Sequence, residues 1–168
     1  TCRLRQAMIR DKHLPSLCLL PAAQKRDKMA VSPDDMRGLV QELRGDFDFI
    51  LLDSPAGIER GFQNALAGAS EVIIVTTPEV SAVRDADRII GLVEAAEKDP
   101  PRLVINRIKA NMVRQGDMLG TADVLEVLSI GLLGIVPDDE NIIVSTNRGV
   151  PIAYDSQTPA STAFHNIA

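Results

Sequence analysis

Residues 48–57, DFILLDSPAG, combine an apolar run with side chains that could hold a metal-bound phosphate. Asp53 directly follows the run, and the turn-forming residues Ser54, Pro55, Ala56 and Gly57 come next. A carboxylate at the end of a buried strand can accept a hydrogen bond from a water molecule on Mg²⁺, which is the chemistry of the Walker B pattern. Many α/β domains also end a strand with Asp to cap the next helix, so this motif alone leaves both interpretations open.

Three more apolar runs end in polar residues. In open parallel sheets, ligands bind beyond the carboxyl ends of the strands, so these ends should converge on one rim. The residues at the predicted ends are Thr76, Thr77, Pro78 and Glu79, then Asn106 and Arg107, and finally Pro137, Asp138, Asp139 and Glu140. We predict that they line a ligand site together with the turn that follows Asp53.

Other kinds of site find little support in the sequence. Neither G-x-x-x-x-G-K-[ST] nor G-x-G-x-x-G occurs, so these residues contain no phosphate cradle and no phosphate-binding lysine. Cys2 and Cys18 lack CxxC spacing and a nearby His cluster, which argues against a metal site. Cys18 lies in the apolar run LCLL and is predicted to be a small core residue.

A predicted helix over 79–98 carries Ser81, Asp85 and Asp87. Arg88 follows Asp85 at the i,i+3 spacing that brings side chains together on a helix surface. From the pattern alone, these charges can be an ordinary solvated helix face.

The elements that must position these residues alternate between strand and helix. We predict strands over 14–22, 47–53, 71–78, 102–106 and 132–137, and helices over 32–45, 56–70, 79–98, 121–129, 138–147 and 156–168. This alternation predicts one α/β domain over 1–168, with a doubly wound, mostly parallel sheet flanked by helices. Aromatic residues make up only 3% of the chain, so Val, Ile, Leu and Ala must form the core, as parallel strands buried on both faces require.

Length and charge narrow the functional classes. A chain of 168 residues fits one domain. The net charge of −5 argues against a specific nucleic-acid partner. No apolar run approaches 18 residues and no signal peptide is visible, so the sequence predicts no membrane span.

Several segments, taken in order, resemble the MinD family of septum site-determining ATPases, which belongs to the deviant Walker A, ParA-like P-loop group. They cover essentially the whole chain and include FDFILLDSPAGIERGF, VTTPEVSAVRDADRIIGL, INRIKANMVRQGDML and LLGIVPDDENIIVSTNRGVPI. The resemblance implies a P-loop NTPase-like fold that is incomplete at its N-terminus, ATP and Mg²⁺ as cofactors, and ATP hydrolysis by a longer parent protein.

The resemblance also implies roles for individual residues. Asp53 would act on Mg²⁺ through water, and the turn from Ser54 through Pro55 and Ala56 to Gly57 would sense the γ-phosphate. Asp85 would face the signature lysine of the partner subunit, whereas Ser81 and Asp87 would belong to the surface for which MinC and MinE compete. The residues implied at the adenine are Asn106 and Arg107 on one side and Pro137, Asp138, Asp139 and Glu140 on the other.

For the parent protein, the resemblance implies an ATP-dependent homodimer that recruits a MinC-like division inhibitor to the membrane and answers to a MinE-like regulator. It would be cytoplasmic and peripheral on the inner face of the cell membrane. We expect the P-loop, with both of its lysines, and the first switch region to precede Thr1, and an amphipathic membrane helix to follow Ala168. The chain alone is then expected neither to hydrolyse ATP nor to hold a membrane. A ParA-like partition ATPase and a catalytically inert scaffold of the same fold are the alternatives.

Overall fold

The computed structural model describes residues 4–21, 31–155 and 157–168. Its strands are β1 (Ile9–Arg10), β2 (Cys18–Leu19), β3 (Ile73–Thr76), β4 (Arg102–Ile108) and β5 (Gly131–Pro137). Its helices are α1 (Leu4–Ala7), α2 (Pro33–Leu43), α3 (Arg60–Gly68), α4 (Val80–Ala95), α5 (Ala110–Gln115), α6 (Thr121–Leu128), α7 (Glu140–Arg148) and α8 (Pro159–Ile167), with a 3₁₀ turn at Ile152–Tyr154.

β3, β4 and β5 form a parallel sheet in that order, with helices against both faces. Successive side chains of a strand point to opposite faces, so Leu103 and Ile105 of β4 pack into one cluster and Val104 into another. The first cluster includes Val83 of α4 and Val124 of α6, and the second includes α8. Full burial of a side chain such as Leu103 contributes about 1.5–3 kcal/mol. The predicted parallel α/β sheet with flanking helices is therefore confirmed.

The prediction of a buried strand over 14–22 is wrong for its described part, and Ala22 lies outside the described residues. β1 and β2 form a short antiparallel hairpin, in which Arg10 faces Cys18. The Asp11 carboxylate accepts hydrogen bonds from the backbone N–H groups of His13 and Leu14 and so bends the chain. Pro15, which has no N–H to donate, follows directly. Cys18 is only half-buried, so it is not a core residue.

The prediction of a strand over 47–53 is also wrong, because none of the described residues pairs with its backbone. A strand requires a hydrogen-bonded neighbour, and an apolar run without one keeps no regular pairing. Leu51 is 90% exposed in consequence. Leu52 packs against the α2–α3 pair. A Cβ atom added to Gly68 of α3 would lie 3.0 Å from Cδ1 of Leu52.

Several helices begin or end away from their predicted bounds. α3 begins at Arg60 because the residues before it form a turn, in which Gly57 has a φ of 94°. α4 ends at Ala95, shortly before Glu97, whose φ of 55° is left-handed. α5 was not predicted. The predicted start of α2 is confirmed, because Ser32 is its N-cap and exchanges capping-box hydrogen bonds with Asp35.

Candidate functional site

The carboxyl ends of β4 and β5 form a polar rim whose shape depends on a register shift. Ile105 faces Ile135, but Ile108 faces Pro137, so β4 contains one extra residue in this stretch. Asn106 and Arg107 lie there, and Arg107 has a φ of 60°. A bulge of this kind redirects side chains at a strand end. A left-handed conformation in a non-glycine residue costs about 1–3 kcal/mol and is common at functional sites.

The Asp138 carboxylate at the end of β5 is held between two cations from the end of β4. Its Oδ1 atom lies 3.3 Å from Nε of Arg107, and its Oδ2 atom lies 3.1 Å from Nζ of Lys109. The Lys109 hydrogen bond, with a smaller contribution from Arg107, lowers the pKa of Asp138. The Asp138 backbone N–H also donates to the Ile108 carbonyl at 3.0 Å. These contacts hold the two strand ends together.

The half-buried side chain of Asn106 has a defined orientation. Its Oδ1 atom accepts a hydrogen bond from the Arg107 backbone N–H at 2.9 Å. Within the described ranges no hydrogen bond engages its Nδ2 group. That group therefore has free donor capacity.

A cavity of 460 Å³ opens beside the ion pairs. This volume lies in the range of about 300–1,000 Å³ that is typical of small-molecule sites. Its lining residues are Ile108, Lys109, Ala110, Asn111, Pro137, Asp138 and Glu140. Three predicted site residues thus line the cavity, and Asn106 and Arg107 lie at the same strand ends.

Asp139, although adjacent, has different contacts. It is the N-cap of α7, and its Oδ1 atom accepts from the Asn141 backbone N–H at 2.9 Å. Its Oδ2 atom accepts from the Ala160 backbone N–H of α8 at 3.4 Å. The hydrogen bond from Asn141 is the main cause of a lowered pKa at Asp139. The observed contacts of Asp139 join α7 to α8, whereas the cavity wall is formed by its neighbours.

Asp53 and the turn after it are exposed, and the turn lies against α3. Pro55 packs over α3, where a Cβ atom added to Gly61 would lie 2.4 Å from Pro55 Cγ. Ser54 donates from Oγ to the Pro55 carbonyl at 3.3 Å, and Ala56 is exposed. In the part of the chain that the structure describes, no hydrogen bond joins this turn to the rim of β4 and β5. The structure therefore does not bring the two parts of the predicted site together through such contacts.

The residues at Asp53 fit a limited role toward Mg²⁺. Asp53 has no hydrogen-bond or ion-pair partner among the described residues, so its carboxylate is available. Across 4–21, 31–155 and 157–168, no group of three or more His, Cys, Asp or Glu side chains could hold a metal ion. One free carboxylate fits a contact through a metal-bound water, as the Walker B interpretation requires.

The exposed side of α4 presents its three predicted residues in two directions. Val83, Ala86 and Ile90 form the buried side. Ser81 and Asp85 are four residues apart and share one side of the helix. Asp87 is two residues beyond Asp85, and a rotation of about 200° places it on a different side. The described ion pairs do not include one between Asp85 and Arg88.

Lys109 is the site residue that the sequence analysis missed. A usable signal was present, because the end of β4 reads NRIK and the end of β5 reads PDDE. Adjacent parallel strands place these ends side by side, so opposite charges there should pair.

The chain is similar to curated septum site-determining proteins. It is 51% identical over 169 residues to the septum site-determining protein MinD of Bacillus subtilis (strain 168), with coverage of 99% of this chain and 63% of that protein. It is 49% identical over 168 residues to the protein of the same name from Synechocystis, with the same coverage. The chain thus spans about three fifths of the length of these relatives. No family model matches it.

Solved structures share its fold. The MinD cell division protein of Aquifex aeolicus matches with a TM-score of 0.89 at 40% identity, over 99% of this chain and 68% of that one. The MinC:MinD cell division protein complex of the same organism gives a TM-score of 0.90 at 40% identity, over 99% and 66%. MinD of Pyrococcus horikoshii, complexed with Mg-ADP, gives 0.82 at 26% identity, over 99% and 67%. The predicted P-loop NTPase-like fold is confirmed. No helix in the described ranges has the length and apolarity to cross a membrane.

Proposed function

The chain belongs to the MinD family of septum site-determining proteins, and from this we propose that it is the base-binding and partner-binding part of an ATP-dependent dimeric switch that places the division septum. The observation that carries the proposal is the rim of β4 and β5. There a strained bulge, an ion-paired carboxylate and a cavity of 460 Å³ meet where the family resemblance implies the adenine.

At the rim, Asn106 would hold the base through its free Nδ2 group, which suits an acceptor nitrogen of adenine. Pro137 and the Glu140 stem would cover the ring, and Arg107 with Asp138 would keep the strand ends together. Asp139 would contribute indirectly, by capping α7 beneath the cavity. The solved MinD of Pyrococcus horikoshii with Mg-ADP supports nucleotide and magnesium as the ligands of this family.

Asp53 would act on Mg²⁺ through a water molecule, and residues 54–57 would follow the state of the terminal phosphate. Bound magnesium would neutralise charge on the phosphates during hydrolysis. We propose that residues 1–168 form part of one domain, and that a longer parent supplies the phosphate-binding loop and a membrane helix. This chain alone would then be inactive in ATP hydrolysis.

The exposed residues of α4 would serve two kinds of partner. Asp85 would face the second subunit of a nucleotide-dependent homodimer. Ser81 and Asp87 would belong to the surface for a MinC-like inhibitor and a MinE-like regulator. The MinC:MinD complex of Aquifex aeolicus supports an inhibitor of this kind as partner. The parent would act at the inner face of the cell membrane, where the inhibitor blocks division.

The proposal is tested by titrating the parent protein with Mg-ADP in a calorimeter. Asn106→Ala should weaken binding by about threefold to tenfold, the value of one net hydrogen bond. Asn147→Ala, on the exposed side of α7, is the matched control and should bind as the wild type does. Equal affinities for all three proteins would contradict the placement of the base at the rim.

Light scattering with ATP tests the partner surfaces separately. Asp85→Ala should impair ATP-dependent dimerisation, whereas Asp87→Ala should form dimers but bind the inhibitor less well. Normal dimers from Asp85→Ala would remove this residue from the interface.

The assignment of Asp53 is tested by measuring ATP turnover in the parent protein. Asp53→Ala should fold normally and lose Mg²⁺-dependent turnover. Undiminished stimulated turnover by this variant would reject the assignment of Asp53 to magnesium.

A further inference from the structure

We propose that Lys109 is a positioning residue that favours adenine over guanine, because its ion pair competes with a bound base for the Asp138 carboxylate. The inference rests on the proposed function, since it concerns the base that enters the rim. Lys109 lines the cavity and is not among the residues that the family resemblance implied.

Both oxygens of Asp138 are engaged in the structure. Oδ2 has Lys109 Nζ at 3.1 Å, and Oδ1 has Arg107 Nε at 3.3 Å. The Asp138 side chain is only 30% exposed and faces the cavity. Each oxygen keeps a second acceptor site, so a bound base can reach the carboxylate but competes with the two cations for it.

The two purines differ in what a free carboxylate could offer them. Guanine presents an N1–H and an exocyclic N2 amino group side by side, and an ionised carboxylate accepts from both at once. Adenine has an acceptor at N1 and cannot make this paired contact. A free Asp138 would therefore favour guanine, and the two cations on Asp138 reduce that advantage.

Lys109, more than Arg107, holds the carboxylate. Its contact is shorter, and its side chain is 45% exposed against 65% for Arg107. Its backbone is fixed as the N-cap of α5, where its N–H group donates to Sδ of Met118 at 3.4 Å. Its hydrogen bond is also the largest cause of the lowered pKa of Asp138. Removal of Lys109 thus frees one oxygen and loosens the other.

The experiment measures the dissociation constants of Mg-ADP and Mg-GDP for the parent protein by calorimetry. Lys109→Met should lower the ratio of the Mg-GDP constant to the Mg-ADP constant by about threefold, which is the size of effect that one partly exposed ion pair supports. Lys109→Arg keeps a cation on Asp138 and should retain the wild-type ratio. Arg102→Gln, at the opposite end of β4, is the control for loss of a surface cation.

The double variant Lys109→Met/Asp138→Asn removes the freed carboxylate and should restore the preference for ADP. Circular dichroism establishes that each variant is folded. An unchanged ratio in Lys109→Met, with ADP still bound, would overturn this inference and leave the proposed function standing. A wild-type protein that binds no ADP would overturn both.

Discussion

β4 and the segment over 47–53 both carry apolar side chains toward a polar end, yet Leu103 of β4 is fully buried and Leu51 is 90% exposed. β4 has a paired strand on each edge and packed helices on each face. The segment over 47–53 has no paired neighbour among the described residues, and none of its side chains is fully buried. An apolar segment therefore forms a strand only where neighbouring strands pair with the N–H and C=O groups of its backbone.

The same difference separates the two halves of the candidate site. At the rim, the pairing of β4 with β5 brings Asn106 and Asp138 to adjacent strand ends with defined hydrogen bonds. Asp53 ends a segment without such support, and its carboxylate has no described partner. The position of a residue at a strand end therefore indicates a role in a site only where that strand is paired with its neighbours.

The largest test of this comparison is a matched pair of leucine truncations in the 168-residue chain. Leu103→Ala should lower the free energy of unfolding by about 2–5 kcal/mol, because it leaves a cavity in the core. Leu51→Ala should change it by no more than about 0.5 kcal/mol, because the side chain is exposed. Urea denaturation measures both. A comparable loss from Leu51→Ala would mean that the 47–53 segment is packed, and the comparison would fail.

Close packing between β5 and α8 should also be specific to this region. A Cβ atom at Gly134 would lie 2.4 Å from Cγ1 of Ile167, whereas one at Gly131 has nothing within 4 Å. Gly134→Ala should therefore destabilise the chain by about 1–3 kcal/mol through overpacking. Gly131→Ala is the control and should have little effect. Equal stability of the two variants, measured by thermal unfolding, would show that α8 does not lie against β5 as described.

The start of α2 differs from both regions, because it is defined by local hydrogen bonds and does not depend on a paired strand. Ser32→Ala removes the side chain that accepts from the Asp35 backbone N–H. It should cost about 1 kcal/mol, the usual value of an N-cap. Ser70→Ala, at an exposed bend, serves as the control in the same denaturation experiment. No difference between these variants would indicate that the cap is not formed.

The smallest effect concerns pH at the rim. The pKa of Asp138 is lowered by Lys109, so its ion pairs stabilise the folded chain above the ordinary pKa of 3.8 and are lost as the pH falls through the folded pKa. Asp138→Asn should cost no more than about 1 kcal/mol near neutral pH, since the pairs are partly exposed. That cost should disappear in acid. Asp117→Asn, which removes a carboxylate without a described ion pair, should show no such pH-dependent difference.

Much of the fold was predictable because its signals are local or periodic. Ser32 and Pro33 marked the start of α2, and the β-branched run at 73–76 marked β3. The hairpin of β1 and β2 was not predictable in this way, because it depends on the side-chain turn at Asp11. For the site, strand ends identified Asn106 and Asp138. The left-handed Arg107 and the contact of Lys109 with Asp138 depend on a register shift between two strands, which no single segment encodes.

The most direct measurement is a crystal structure of the parent protein with Mg-ADP. We expect the adenine to lie at the rim of β4 and β5, with Asn106 Nδ2 donating to the base and Asp138 still bound by Lys109. The same structure should place Asp53 beside a water molecule on the magnesium ion. An adenine bound elsewhere, with the cavity beside Asp138 empty, would contradict the account.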